Sequence, residues 1–151
     1  DKWLLSKMNS MVKAVDDNLG NYRIPEAARA LDEFVDEMSN WYVRRSRERF
    51  WAKDMPQDKI NAYMTLYAAL VTVSKAAAPM IPFMTEDIYQ NLVRSVDSSA
   101  KESIHLCDFP EVNEAQIDKE LEENMERVLK VVVLVEISQT SRTDSQLAKC
   151  L

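Results

Sequence analysis

The chain of 151 residues holds one glycine, five prolines, two cysteines and one histidine. Each scarcity removes a class of protein. A single glycine, Gly20, leaves no glycine-rich phosphate loop and no nucleophile elbow, and too few turn residues for a fold of short strands. Cys107 and Cys150 lie far apart, outside any metal-ligand spacing, and read as reduced thiols rather than a disulfide framework or metal site. His105, beside apolar Leu106, is expected to be a surface or strap residue rather than a catalyst. No apolar run approaches the roughly 20 residues of a membrane span. The N-terminus lacks the charged and apolar regions of a signal peptide. No membrane partner, no metal and no catalytic residue are therefore assigned, and a cytoplasmic location is expected. The chain starts at Asp1 in a helical pattern and reads as a fragment of something larger.

What is present points to helices. Hydrophobic residues make up 46% of the chain, enough for one compact domain. The spacing predicts an all-α fold, an antiparallel bundle of about five helices over residues 1–137, with a frayed end or tail at 138–151. Helix one is expected from Lys2 to Asn18, closed by Gly20 and Asn21. Helix two is expected to start near Pro25 and run to about Lys53. Helix three, about Lys59 to Ala78, is apolar over much of its circumference and reads as the most buried element. Pro79 and Pro82 break it, after which Thr85 is expected to N-cap a fourth helix ending near Ser95. A short extended strap is expected near residues 103–109. Asn113 and Gln116 resemble a capping-box pair for helix five, whose run Val131–Val135 is expected to be buried.

Net charge is −6, yet residues 44–53 carry a local +4, so the remainder carries −10. An acidic body with one basic spot can hold a phosphate backbone there and repel it elsewhere. The spot lies at the end of helix two, in NWYVRRSRERFW (Asn40–Trp51). At about 100° per residue, Arg45 and Arg49 continue the core stripe of Leu31, Val35, Met38 and Tyr42, so ion pairing is expected, with Glu86 and Asp87 as candidates. Asn40, Arg44, Arg47 and Trp51 fall on the opposite side. Arginine with an aromatic and an amide is a combination suited to clamping phosphates and stacking on unpaired bases. The rival reading is that neighbouring helices cover this face and bury Trp51.

That segment, followed by NAYMTLYAALVTVSKAAAPMIPFMTEDIYQNL (Asn61–Leu92), resembles the anticodon-binding domain of class I isoleucyl-tRNA synthetases. IHLCDFP (Ile104–Pro110) and DKELEENMERVLKVV (Asp118–Val132) are similar to the family's strap and next helix. The resemblance covers about residues 1–135. It implies a helical bundle that packs against the anticodon stem-loop of the tRNA for isoleucine, joined in one polypeptide to a catalytic domain that uses ATP. The HIGH-like and KMSKS-like signatures and the editing domain of such an enzyme are absent from this chain, which would need no cofactor of its own. The tRNA-binding residues so implied are Asn40, Trp41, Arg44, Arg45, Arg47, Arg49, Trp51 and Lys53. The family's basic segment after the bundle is reduced to Arg142 and Lys149, and no function is carried to 138–151. Two alternatives remain: a helical module whose arginine–aromatic patch binds another protein, and an anticodon-binding domain of a valyl or leucyl enzyme.

Overall fold

The computed structural model describes the backbone of residues 1–147 and the side chains of residues 1–135. All of its regular structure is helical, as the shortage of turn glycines predicts. Helix α1 (Lys2–Gly20) buries Trp3, Leu4, Met11, Val12 and Val15 on one stripe. The reversal after it uses Tyr22, not Gly20, as the left-handed residue, with φ 57°. Helix α2 (Ile24–Glu37) opens with Pro25 in its first turn, where the missing N–H costs nothing, and buries Ala27, Leu31 and Phe34. The short reversal makes α1 and α2 neighbours, and a Lys7–Glu37 ion pair of 2.9 Å joins them.

The expected long second helix is interrupted. At Met38 the backbone passes into a π-helical turn, Met38–Val43. It then bends at Ser46 into a five-residue helix, α3 (Arg47–Trp51). A π turn holds about one residue more than an α turn, which rolls everything beyond it by about 100°. The buried positions consequently step by four: Phe34, Met38, Tyr42, Ser46. Half-buried Phe50 continues the series. Ser46 and Phe50 therefore take the inward places that uniform α-helical spacing assigns to Arg45 and Arg49.

Helix α4 (Gln57–Ala77) packs on α1, α2, α3 and α5 through a face of small side chains, Ala62, Thr65, Ala69, Ser74, Ala76 and Ala77. It is not the most buried element that its apolar circumference predicts, since α1 buries more of its length. Small residues let the neighbours approach closely, and the bulky Ile60, Tyr63, Met64 and Tyr67 remain exposed. The proline break leads into α5 (Pro82–Tyr89), which Pro82 itself begins. Thr85 is thus no N-cap. It lies inside α5, buried, with its hydroxyl 3.0 Å from the Ile81 carbonyl. A second π turn, Gln90–Arg94, closes this element.

The strap contains no strand, only a 3-10 turn at Ile104–Leu106 flanked by extended Ser103 and Cys107. Glu86 fastens it, accepting from Ser103 Oγ at 2.7 Å and from the Ile104 N–H at 3.0 Å. Ile104 is 2% exposed, seated against Ala78 and Tyr89. Asn113 and Gln116 begin no helix. Asn113 caps a second 3-10 turn, Glu114–Gln116. Both residues bind buried Asn9 of α1, whose Oδ1 accepts from the Asn113 N–H at 2.8 Å while its amide donates to Gln116 Oε1 at 3.1 Å.

The chain divides into two units, residues 1–117 and 118–151. In the second, α6 (Lys119–Leu147) starts after Asp118, whose carboxylate accepts from the Leu121 N–H at 2.9 Å. The expected burial of Val131–Val135 does not occur, because α6 has no second layer within its own unit to cover that apolar run. Val131, Val133, Leu134 and Val135 are exposed. The backbone is helical through the first part of the segment read as a tail. Its side chains, including Arg142, and all of residues 148–151 lie outside the described residues. Among the described residues no helix is long and apolar enough to cross a membrane.

Candidate nucleic-acid interface

The basic spot occupies the end of unit one formed by the π turn, α3 and the start of α4. Asn40, Arg44, Arg45, Arg47, Trp51 and Lys53 are exposed there, and Trp41 and Arg49 are half-buried. Trp51 is 76% exposed, so no helix of unit one covers it. The Arg45 guanidinium lies 5.1 Å from the centre of the Trp41 ring, and that of Arg47 lies 5.7 Å from Trp51. A guanidinium stacked on an indole keeps its in-plane N–H groups available at the rim. Among the described residues Arg44, Arg45, Arg47 and Lys53 have no ion-pair partner. Asn40 donates to Asp36 Oδ1 at 2.6 Å, which orients its exposed amide.

Arg49 stands apart from this group. Its Nε and Nη2 donate to the Asp58 carboxylate at 2.7 and 2.8 Å. Its Nη1 and Nη2 donate to the two Asp1 oxygens at 2.8 and 2.9 Å. The bond to Asp58 raises the Arg49 pKa above its already high value. Tyr42 joins the cluster by donating to Asp1 Oδ1 at 2.6 Å, and burial pushes its phenol up. The expected ion pairing of Arg49 is thus present with different partners. Glu86 and Asp87 serve neither Arg45 nor Arg49. Glu86 is taken up by the strap, and the π turn carries Arg45 out to Trp41.

Further contacts seat α3 on α4. The Phe50 ring sits 5.0 Å from Tyr63 and 6.5 Å from Tyr42. Lys59 Nζ donates to the Ala52 carbonyl at 2.8 Å and to the Asp54 carbonyl at 3.3 Å, capping the C-terminal end of α3. Asp1, Asp58 and Lys59 are the site-forming residues that sequence reasoning missed. Asp58 and Lys59 carried one usable signal, their position just across the Pro56 turn from the arginines.

An apolar cavity of about 410 Å³ opens elsewhere in unit one, among α2, α4 and α5, lined chiefly by Leu31, Val35, Met38, Leu70, Met84 and Ile88. Among the described residues no three His, Cys, Asp or Glu side chains are grouped to hold a metal ion.

A family model described as the anticodon-binding domain of tRNA ligase matches residues 1–149. The isoleucine–tRNA ligase of Clostridium tetani is 56% identical over 134 residues, which is 89% of this chain and 13% of the relative. That of Dehalococcoides mccartyi strain CBDB1 is 50% identical over 131 residues, 87% of this chain and 13% of the relative. The Methanothrix thermoacetophila ligase is 45% identical over 132 residues, again 87% and 13%. The chain thus spans about an eighth of the length of these curated relatives.

Proposed function

Because this chain belongs to the family of anticodon-binding domains of tRNA ligases, we propose that its arginine–tryptophan end receives the anticodon stem-loop of the tRNA for isoleucine. Arg44, Arg45, Arg47 and Lys53 neutralise stem phosphates. Trp51, and Trp41 at its exposed edge, stack on unpaired bases. Asn40 hydrogen-bonds a base edge or the sugar–phosphate chain. In this reading the chain recognises and the rest of the same polypeptide catalyses, joining isoleucine to the tRNA with ATP in the cytoplasm. The chain itself binds no cofactor.

The observation that supports this most is the pairing of unsatisfied cations with accessible indoles in a protein of net charge −6. Arg45 lies over Trp41 and Arg47 over a largely exposed Trp51, without carboxylates to quench them. Filter binding of the Arg44→Ala/Arg47→Ala double variant to tRNA at low salt tests it, and a loss of about tenfold or more is expected from two phosphate contacts. Unchanged affinity would refute the assignment. Competition between purified isoleucine, valine and leucine tRNAs tests the choice of substrate.

The exposure of Tyr63, Met64 and Phe83 favours a second use of unit one, as a docking surface for other parts of the same polypeptide, including its catalytic domain. Such contacts respond weakly to salt, whereas phosphate contacts respond steeply.

A further inference from the structure

We propose that Arg49 is a positioning residue for the tRNA-facing surface rather than one of its contacts: by clamping Asp1 and Asp58 it fixes the roll of α3, and with it the direction of Arg47 and Trp51. The inference rests on reading that surface as the tRNA-binding face. By type and sequence position Arg49 belongs with the other arginines, but its geometry differs from theirs. All three of its guanidinium nitrogens donate to protein oxygens at 2.7 to 2.9 Å, on two carboxylates from two different parts of the chain. An arginine so engaged has little left for a phosphate.

Helix α3 needs such a clamp. It is five residues long and buries none of them fully. A helix that short does not hold itself, since nucleation costs more than its few hydrogen bonds return. It also follows a π turn and the bend at Ser46, so the axis of α2 does not dictate its orientation. Its fasteners are Phe50 between Tyr42 and Tyr63, the Tyr63 hydroxyl on the Phe50 carbonyl at 3.4 Å, Lys59 on the carbonyls at its end, and the Asp1–Arg49–Asp58 clamp. Arg49 lies midway between Arg47 and Trp51, which it therefore carries with it.

The test exploits opposite signs. Asp58→Ala removes a negative charge beside a polyanion site, so electrostatics alone makes tRNA bind more tightly. Loss of positioning makes it bind more weakly, by about fivefold to tenfold if one or two phosphate contacts go. Arg49→Lys keeps the charge but lacks the planar fork that makes paired bonds to both carboxylates at once, so it is expected to weaken binding to a similar degree; a direct phosphate contact would survive it largely intact. Binding is measured in the complete polypeptide, with circular dichroism confirming that each variant is folded. Should Asp58→Ala not fold, Asp58→Asn, which keeps one acceptor, is expected to give a smaller loss of the same sign. Tighter or unchanged binding by a folded Asp58 variant, or wild-type binding by Arg49→Lys, overturns the proposal. If Arg44→Ala/Arg47→Ala weakens binding by about tenfold or more in that case, the surface assignment survives and only the positioning role falls. If the double variant binds as wild type, both fall.

Discussion

Replacing Glu86 by alanine should release the strap while leaving the helices of unit one in place. The carboxylate accepts from Ser103 Oγ at 2.7 Å, from the Ile104 N–H at 3.0 Å and from Gln90 Nε2 at 2.6 Å. A hydrogen bond to a charged acceptor contributes about 1.5 to 3 kcal/mol when shielded. Both strap bonds are partly open to water, so together they are worth about 2 kcal/mol. The loss should be local first, because Ile104 is held in its pocket by the same two bonds. Amide exchange at Ile104 and its neighbours, alongside urea unfolding, reads both effects. An unchanged Ile104 exchange rate with a stability change under about 0.5 kcal/mol would refute the reasoning. The acid dependence follows from the same geometry. The bonds from Gln90 and Ser103 hold the Glu86 pKa below the ordinary glutamate range. A depressed carboxylate stabilises the fold at pH values above its unfolded pKa, and that contribution is lost as pH falls through the folded value. The stability difference between wild type and Glu86→Gln should therefore shrink on acidification.

Phe34, 2% exposed in the middle of α2, should cost about 3 to 5 kcal/mol as Phe34→Ala in a urea melt. Trp51→Ala should shift the same melt by no more than about 0.5 kcal/mol, since its ring is exposed, while still weakening tRNA binding. Burial and the neighbouring Cys107 thiol push the Tyr89 phenol up to about 12. Its neutral form is thus favoured by folding: the contribution is complete below the unfolded pKa and disappears as pH rises through the folded one. Tyr89→Phe should flatten the alkaline limb of the stability curve, with ultraviolet titration of tyrosinate as the check.

The helical class and most helix positions were legible because they depend on local spacing: the α1 stripe, Pro25 opening α2 and the proline break before α5. What was hidden depends on geometry that spacing does not encode. Uniform α-helical steps put Arg45 and Arg49 on the core stripe, and the π turn at Met38–Val43 moved both. Burial of α4 was overestimated because composition does not reveal which side of a helix faces its neighbours. There the alanines, not the tyrosines, face inward. Thr85 and Asn113 are good capping residues by type, but Pro82 had already begun one helix and Asn9 claimed the other pair. Helical spacing does place Asn40, Arg44, Arg47 and Trp51 outward, where all four are exposed. The Asp1–Arg49–Asp58 cluster beside Arg47 and Trp51 is not legible, since Asp1 is joined to Arg49 only through the fold.

The most direct test of the arginine–tryptophan surface is the salt dependence of isoleucine-tRNA binding by the complete polypeptide, compared with its Arg44→Ala/Arg47→Ala variant. Each phosphate contact contributes about 0.7 to 0.9 to the slope of log affinity against log salt. The account predicts a steep wild-type slope and a variant slope shallower by about 1.4 to 1.8. Equal slopes in the two proteins would contradict it.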